Sequence, residues 1–314
     1  MPMVADILRH FPDAQIDWVV EEAYTSLVAQ NNGVHQVIPM ALRRWRKSLL
    51  SPATRAQIAA FRHSLRSQAY DFVFDTQGLF KTSVVMRMAR LTPNGKRVGL
   101  ANATEGSGYE AISRIFHDVS VPVGLRMHAV LRARTVAAAA LGYNIDSAPD
   151  FKLDAPTLDE AGAGQLPSWL PGSPYVVFFH GTARAQKQWP ITHWIALARR
   201  LQERGLPVLL PWGSDTEKRT AELMQAQMPN GVVLPKLPLM EAVLLAQRAT
   251  LVVGVDTGLT HVAAAYHRPT IELYGDSPRW KTQGDWSPNI INLGDLGMLP
   301  DVEEVELAVK RLLG

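Results

Sequence analysis

Residues 250–274, "TLVVGVDTGLTHVAAAYHRPTIELY", decide the fold. "TLVVGV" is a near-continuous apolar run of strand length, "LTHVAAAYH" is helical, and "TIELY" is a second β-rich run. Strands without polar alternation are expected where helices cover both faces of a parallel sheet. The same unit recurs upstream: "YVVFF" before "ITHWIALARRLQERG", "PVLLPW" before "TEKRTAELMQAQM", and "GVVL" before "LMEAVLLAQRA". A doubly wound α/β domain follows, and ligands in such sheets bind beyond the carboxyl ends of the strands.

The first half alternates in the same way, with "AQIDWVV", "YDFVFD" and "VGL" as strands. Helices are expected at "PATRAQIAAFRHSLRSQ", "LFKTSVVMRMARL" and "HAVLRARTVAAAAL", the last stopped by Gly142. The chain opens in the reverse order. Pro2 suits a first helical turn and Met3, Ile7, Leu8 and Phe11 recur at helical spacing, so a helix precedes the first strand. From about Asn144 to Pro174 the sequence turns rich in Pro, Ala, Gly and Asp without a sustained period. The expected organisation is a Rossmann-like domain over 1–150, a linker over 151–172 and a second Rossmann-like domain over 173–314, facing across a cleft. The last helix is expected to pack back on the first domain.

At 314 residues with 47% apolar and 19% charged content, the chain is globular. No apolar run approaches the ~18 residues of a membrane span and no basic, then apolar, leader opens the chain, so a cytoplasmic location is expected. Zero cysteines exclude disulfides, thiolate metal sites and a cysteine nucleophile. A formal charge of +3 is small, so attraction for anions has to come from local clusters. No Asp-x-Asp pair occurs and the nine histidines lack H-x-x-x-H spacing, so no catalytic metal is expected. "GSGYEA" at 106–111 matches a dinucleotide pattern, but no strand runs directly into it.

The residues after each strand carry the chemistry. In "HGTARAQKQWP", small residues allow close backbone approach, Thr182 offers a hydroxyl and Lys187 a mobile cation; this reads as a phosphate loop or as a βα loop with an exposed lysine. In "DTGLTHVAAA", Asp256 ends a strand and either caps the next helix or holds a sugar hydroxyl. Gly258 permits tight approach, the helix starting near Leu259 aims free N–H groups at an anion, and His261 either packs or donates to a phosphate or sugar. Glu217, in the first turn after "GSD", either stabilises its helix or accepts two ribose hydroxyls. In the first half, Arg43, Arg44, Arg46 and Lys47 surround Trp45, two pairs stacked three residues apart on a helix. Such a cluster is a solvated face or binds nucleic acid, an acidic membrane surface or a multiply anionic sugar-lipid; no nucleic-acid module surrounds it. "DTQGLFKTS" is another strand-to-helix turn, aiming Gln77, Gly78 and Lys81 at the cleft.

Together "IDWVVEE", "VIPMALRRWRK", "DTQGLFKTS", "HAVLRARTVAAAALGY", "HGTARAQKQWP", "LPWGSDTEK" and "GVDTGLTHVAAA" resemble the lipopolysaccharide heptosyltransferases, inverting glycosyltransferases of the two-domain GT-B type. The resemblance runs along nearly the whole chain. It implies transfer of heptose from ADP-L-glycero-β-D-manno-heptose to the inner Kdo of Kdo2-lipid A, on the cytoplasmic face of the inner membrane, with "RRWRK" as the pointer to that acceptor. ADP-heptose would be a substrate, and no cofactor is implied. Thr182 and Lys187 would hold the diphosphate, with Lys187 stabilising the leaving ADP. Glu217 would hold the ribose, Leu237 the adenine, and the backbone of Thr257, Gly258 and Leu259 the phosphates, with Asp256 and His261 near the heptose. Arg43, Arg44, Arg46 and Lys47 would receive the acceptor's phosphates and carboxylates. Ala183 stands where the family often has a second hydroxyl residue.

The family also has a strand and a Ser-x-Gly-Asp loop ahead of the helix that begins here at Met1, and the Asp of that loop is the expected general base. Asp13 follows the first helix and does not correspond to it. The resemblance therefore implies a first domain without its first strand, and little transfer by these 314 residues alone. A transferase of the same fold with another acceptor, and a chain that only binds the nucleotide sugar, are the alternatives.

Overall fold

The helix-first opening of the chain is present in the computed structural model, which describes residues 1–156, 167–182 and 184–314 and divides into two units, Met1–Lys152 and Leu153–Gly314. Helix α1 (Pro2–His10) starts on its proline and buries Val4, Ala5 and Ile7. Asp6 is also buried, where sequence spacing puts Met3, Leu8 and Phe11 on the inner face; Phe11 is exposed. The helix is turned by an ion pair: Arg134 donates from Nε and Nη2 to the two Asp6 oxygens at 2.6 and 2.9 Å, and from Nη2 to the Ser147 carbonyl at 2.8 Å.

The first unit has two separate parallel sheets. Strand β1 (Asp17–Glu21) pairs with β2 (Gln36–Met40), and β3 (Tyr70–Asp75), β4 (Leu91–Leu100) and β5 (Val119–Val121) form the other. Among the described residues no ladder joins the two. Tyr70 on β3 instead donates its hydroxyl to Asp17 Oδ2 on β1 at 2.7 Å, and Ile38, Trp45, Phe61 and Leu65 pack with Val19 and Val73. The surrounding helices are α2 (Thr25–Val28), α3 (Leu42–Trp45), α4 (Pro52–Leu65), α5 (Phe80–Met88) and α6 (Ala129–Leu141). Gly142 ends α6 at φ 75°, a left-handed cap that glycine adopts without strain. Strand β4 is longer than "VGL" because it begins at Leu91, and its register against β3 shifts between Tyr70 and Phe72.

The strands of the second unit are β6 (Val176–Phe179), β7 (Val208–Leu210), β8 (Gly231–Val233), β9 (Leu251–Val255), β10 (Thr270–Leu273) and β11 (Ile290–Leu293). They form one parallel sheet in the order β11-β10-β9-β6-β7-β8. Between and after them run α7 (Ile191–Glu203), α8 (Asp215–Gln225), α9 (Leu239–Arg248), α10 (Gly258–Ala265) and α11 (Val302–Leu313). Every residue of β6, β7, β9 and β10 is buried, as continuous apolar runs require.

Val302, Val305, Ala308 and Val309 of α11 join the core of the second unit that holds Val176, Trp194 and Ile271. Arg200 on α7 fastens this helix further, pairing with Glu303 at 2.9 Å and with Glu306. Of the expected linker, residues 157–166 lie outside the described residues, as does Ala183.

Candidate active site

Parallel strands deliver their carboxyl ends to one edge of a sheet, and the second unit uses that edge for its polar residues. β6 leads into His180, Gly181 and Thr182, β9 into Asp256 and Thr257, β7 into Trp212 and the cap of α8, and β8 into Leu237. Thus the donor-side residues read from the sequence come from neighbouring strands of one sheet.

Asp256 is the hub. Its side chain is 9% exposed, and four groups donate to it. Oδ2 receives the Lys187 ammonium and the Ser277 hydroxyl, the latter at 2.5 Å; Oδ1 receives His261 Nε2 at 2.9 Å and the Thr282 hydroxyl at 3.3 Å. Burial acts against the charge on Asp256, but the hydrogen bonds from His261, Lys187 and Ser277 outweigh it and hold the carboxyl well below the usual range. Asp256 is not the side-chain cap of α10; that helix starts from Thr257 without a side-chain hydrogen bond, and Gly258 at its first turn is exposed. The first N–H groups of α10 are therefore not tied up by a cap.

His261 does more than pack. Its Nδ1 meets Glu272 Oε1 at 3.0 Å while Nε2 meets Asp256. Burial works against protonation, but the two carboxylates overcome it and push the imidazole up to about 9. Glu272, Tyr274, Ser277 and Thr282 escaped the sequence reading. Only Glu272 left a trace there, as one carboxylate inside the apolar run "TIELY".

Glu217 satisfies its bland reading. Ser214 caps α8 through a capping box in which Glu217 Oε2 accepts from the N–H groups of Gly213 and Ser214 at 2.7 and 3.1 Å. Its other oxygen lies over Gly181, where a Cβ would sit 2.6 Å from it. Buried His180 sets Nε2 3.2 Å from the Glu217 carbonyl and Nδ1 3.4 Å from the Phe178 carbonyl, and because burial lowers its pKa, the single N–H of the neutral ring donates to one of the two. Thr182 Oγ1 accepts only a long bond, 3.5 Å, from the Arg184 N–H. Leu237 is half-buried against the cluster of Leu234, Leu244 and Leu245. Trp212 anchors its indole N–H on the Leu234 carbonyl at 2.7 Å, with the ammonium groups of Lys218 and Lys236 at 5.4 and 5.8 Å from its ring.

In the first unit, helix α3 spans only one turn, so Arg46 and Lys47 lie beyond it, although Arg46 keeps helical angles. Arg43, Arg44, Arg46 and Lys47 are all exposed while Trp45 is buried, its indole N–H on Gln57. Arg44 is engaged: it forks onto Glu22 at 3.0 and 2.8 Å and reaches Gln57 at 2.7 Å. Lys81 is exposed on the first turn of α5. Asp75, buried at the end of β3, accepts from the Gln77 and Gly78 N–H groups and the Thr82 and Ser83 hydroxyls. It organises the turn that carries Gln77, and Gly78 sits there at φ 67°.

Residues 58–310 match the profile of glycosyltransferase family 9 (heptosyltransferase). The chain belongs to that family. Lipopolysaccharide heptosyltransferase 1 of Pseudomonas aeruginosa is 40% identical over 278 residues, 88% of this chain and 74% of that protein. The Escherichia coli K12 enzyme of the same name is 34% identical over 276 residues, covering 88% and 82%. The solved structure of E. coli heptosyltransferase WaaC with ADP aligns at a TM-score of 0.83 and 30% identity over 99% of this chain and 94% of that one. E. coli ADP-heptose heptosyltransferase II, at 23% identity and a TM-score of 0.70, shares the fold. This member of family 9 is thus an α/β glycosyltransferase of GT-B class, and its polar strand-end cluster lies within the matched span.

Proposed function

We propose that the chain transfers a heptose from ADP-L-glycero-β-D-manno-heptose to the inner Kdo of Kdo2-lipid A during assembly of the lipopolysaccharide inner core. The observation that carries this reading is the Lys187–Asp256–His261 cluster beside the uncapped start of α10, on the edge where Glu217 and Leu237 also emerge. Its relative WaaC has been solved with ADP and with ADP-2-deoxy-2-fluoro heptose.

In this reading Thr182, Lys187 and the N–H groups of Thr257, Gly258 and Leu259 take the diphosphate. Lys187 and the α10 dipole neutralise the charge that grows on ADP as the glycosidic bond breaks. Glu217 presents its oxygen over Gly181 to the ribose, Leu237 packs on adenine, and Asp256 with His261 orients the heptose. Asp256 and Glu272 are each committed to cationic or hydrogen-bonding partners and Asp75 to four donors, so none of the three suits the role of proton acceptor for the attacking hydroxyl. Arg43, Arg44, Arg46, Lys47, Gln77 and Lys81 serve the anionic acceptor, and the protein works peripherally on the cytoplasmic face of the inner membrane. No cofactor is assigned.

The test has two arms. Calorimetry on the 314-residue chain should show ADP binding. A strain whose lipopolysaccharide lacks heptose, given the gene in its native context, should regain the first core heptose by mass spectrometry. ADP binding without that gain would keep the donor site and reject the acceptor.

A further inference from the structure

We propose that Glu272 is a positioning residue for the donor: from inside the sheet it locks the His261 ring against Asp256 with both ring nitrogens donating, which frees Lys187 to leave Asp256 for the donor diphosphate. The proposal rests on the donor reading given above.

A glutamate has little reason to be where Glu272 is. It is fully buried on β10, between Ile271 and Leu273, at a place where an apolar side chain would fill the space with no charge to desolvate. It is nevertheless fully partnered. Oε2 accepts from the Tyr274 hydroxyl at 2.8 Å and from the Gly284 N–H at 2.9 Å, and these fix the carboxylate so that Oε1 faces His261 Nδ1 at 3.0 Å. The Tyr274 phenol is pushed up, by burial and then by the charge of Glu272, so it stays a donor.

The ring of His261 therefore lies between two carboxylates. A neutral imidazole carries one N–H and would present a lone pair to one of them; only the imidazolium satisfies both. The titratable and charged groups around it are Asp256 after β9, Lys187 from the β6 loop, Glu272 on β10 and Tyr274 beyond it. The imidazole's upward displacement agrees with that count.

The consequence falls on Lys187. A diphosphate competes with Asp256 for this ammonium, and a nearly buried carboxylate that loses its cation is strongly destabilised. With His261 held as a cation, Asp256 keeps one positive partner, along with Ser277 and Thr282, after Lys187 turns away. With a neutral His261, Asp256 would retain Lys187 and the diphosphate would bind less tightly.

Ring-selective NMR of His261 and calorimetry with ADP test this on Glu272→Gln. In the wild type the ring should stay doubly protonated through pH 8, free and with ADP. In the variant it should be neutral by pH 7.5, with ADP affinity near wild type at pH 6 and about tenfold weaker at pH 8, where few molecules hold the competent charge state. Tyr274→Phe keeps the carboxylate and should keep the ring doubly protonated. Equal losses of affinity at pH 6 and pH 8 would show a structural role only and overturn the proposal. Should Glu272→Gln fail to fold at pH 6, the wild-type titration decides: a ring neutral at pH 7.5 rejects it and a doubly protonated ring supports it. Absence of ADP binding by the wild type would remove the donor reading, while the ring titration still reports on Glu272.

Discussion

The two units solve the same problem with different completeness. In the second, six strands share one ladder system and the strands β6, β7, β9 and β10 are buried throughout. In the first, five strands fall into sheets of two and three, and every residue of β1 is only half-buried. Backbone pairing carries the second unit, whereas side chains hold the first together: the Tyr70–Asp17 hydrogen bond, the cluster around Trp45 and the Asp6–Arg134 pair. Side-chain joints are easier to break singly than a ladder, so the first unit should be the more fragile and the second the more tolerant.

The largest expected effect strikes that weakness. Asp6→Ala leaves Arg134 charged and buried, which should lower the stability of the first unit by about 3–5 kcal/mol. Denaturation followed by hydrogen exchange should show the loss confined to the first unit, with ADP affinity unchanged; weaker ADP binding would break the comparison.

Next is pH. The raised pKa of His261 means that its contribution is complete below about 6.5 and is lost as pH rises through about 9, so the second unit should lose roughly 3 kcal/mol over that window. In the first unit burial depresses His117, which reverses the sign: stability there is kept above the ordinary histidine value and falls at lower pH. Thermal scans at pH 5, 6.5 and 9.5 with exchange readout should separate the two trends, the second unit losing stability from 6.5 to 9.5 and the first from 6.5 to 5; a first unit unchanged at pH 5 or a second unit unchanged at pH 9.5 would contradict the assignments.

Lys187→Ala should weaken ADP by roughly 10–100-fold, the range for a lost charge-assisted contact, and leave both units folded. Unchanged affinity in calorimetry would remove Lys187 from the donor site. The smallest effect belongs to the exposed cations. Neutralising Arg43, Arg44, Arg46 and Lys47 should raise the KM for the proposed acceptor, Kdo2-lipid A, by about several-fold, less at high salt because exposed charges are screened over ~8 Å. The donor KM should hold steady; equal losses would point to misfolding.

The contrast also explains what could be read in advance. Buried parallel strands such as "TLVVGV" announce themselves, and a parallel sheet dictates that Asp256, Thr182 and Glu217 share an edge, so the placement of these residues together was legible. β2 carries Pro39, β5 has three residues and β4 opens on "LTPNGKR", which reads as a turn; such strands are specified by neighbours more than by their own pattern. Glu272 was missed for a related reason. One acidic residue in a strand looks like an outward-facing position until the sheet is seen to have helices on both faces and His261 beside it. Lys187 was expected as a mobile cation for a ligand, and its pairing with Asp256 needed coordinates.

Gly181 has a bearing on how the family varies. The smallness of this loop residue suggests room for a ligand, yet the nearest obstacle to a Cβ is the carboxylate of Glu217, at 2.6 Å. The two positions are thus coupled by volume. Among diverging homologues, a larger residue at 181 should appear in company with a shorter one at 217 or with a glutamate released from the Gly213 and Ser214 N–H groups, and chains that keep that cap should favour the glycine.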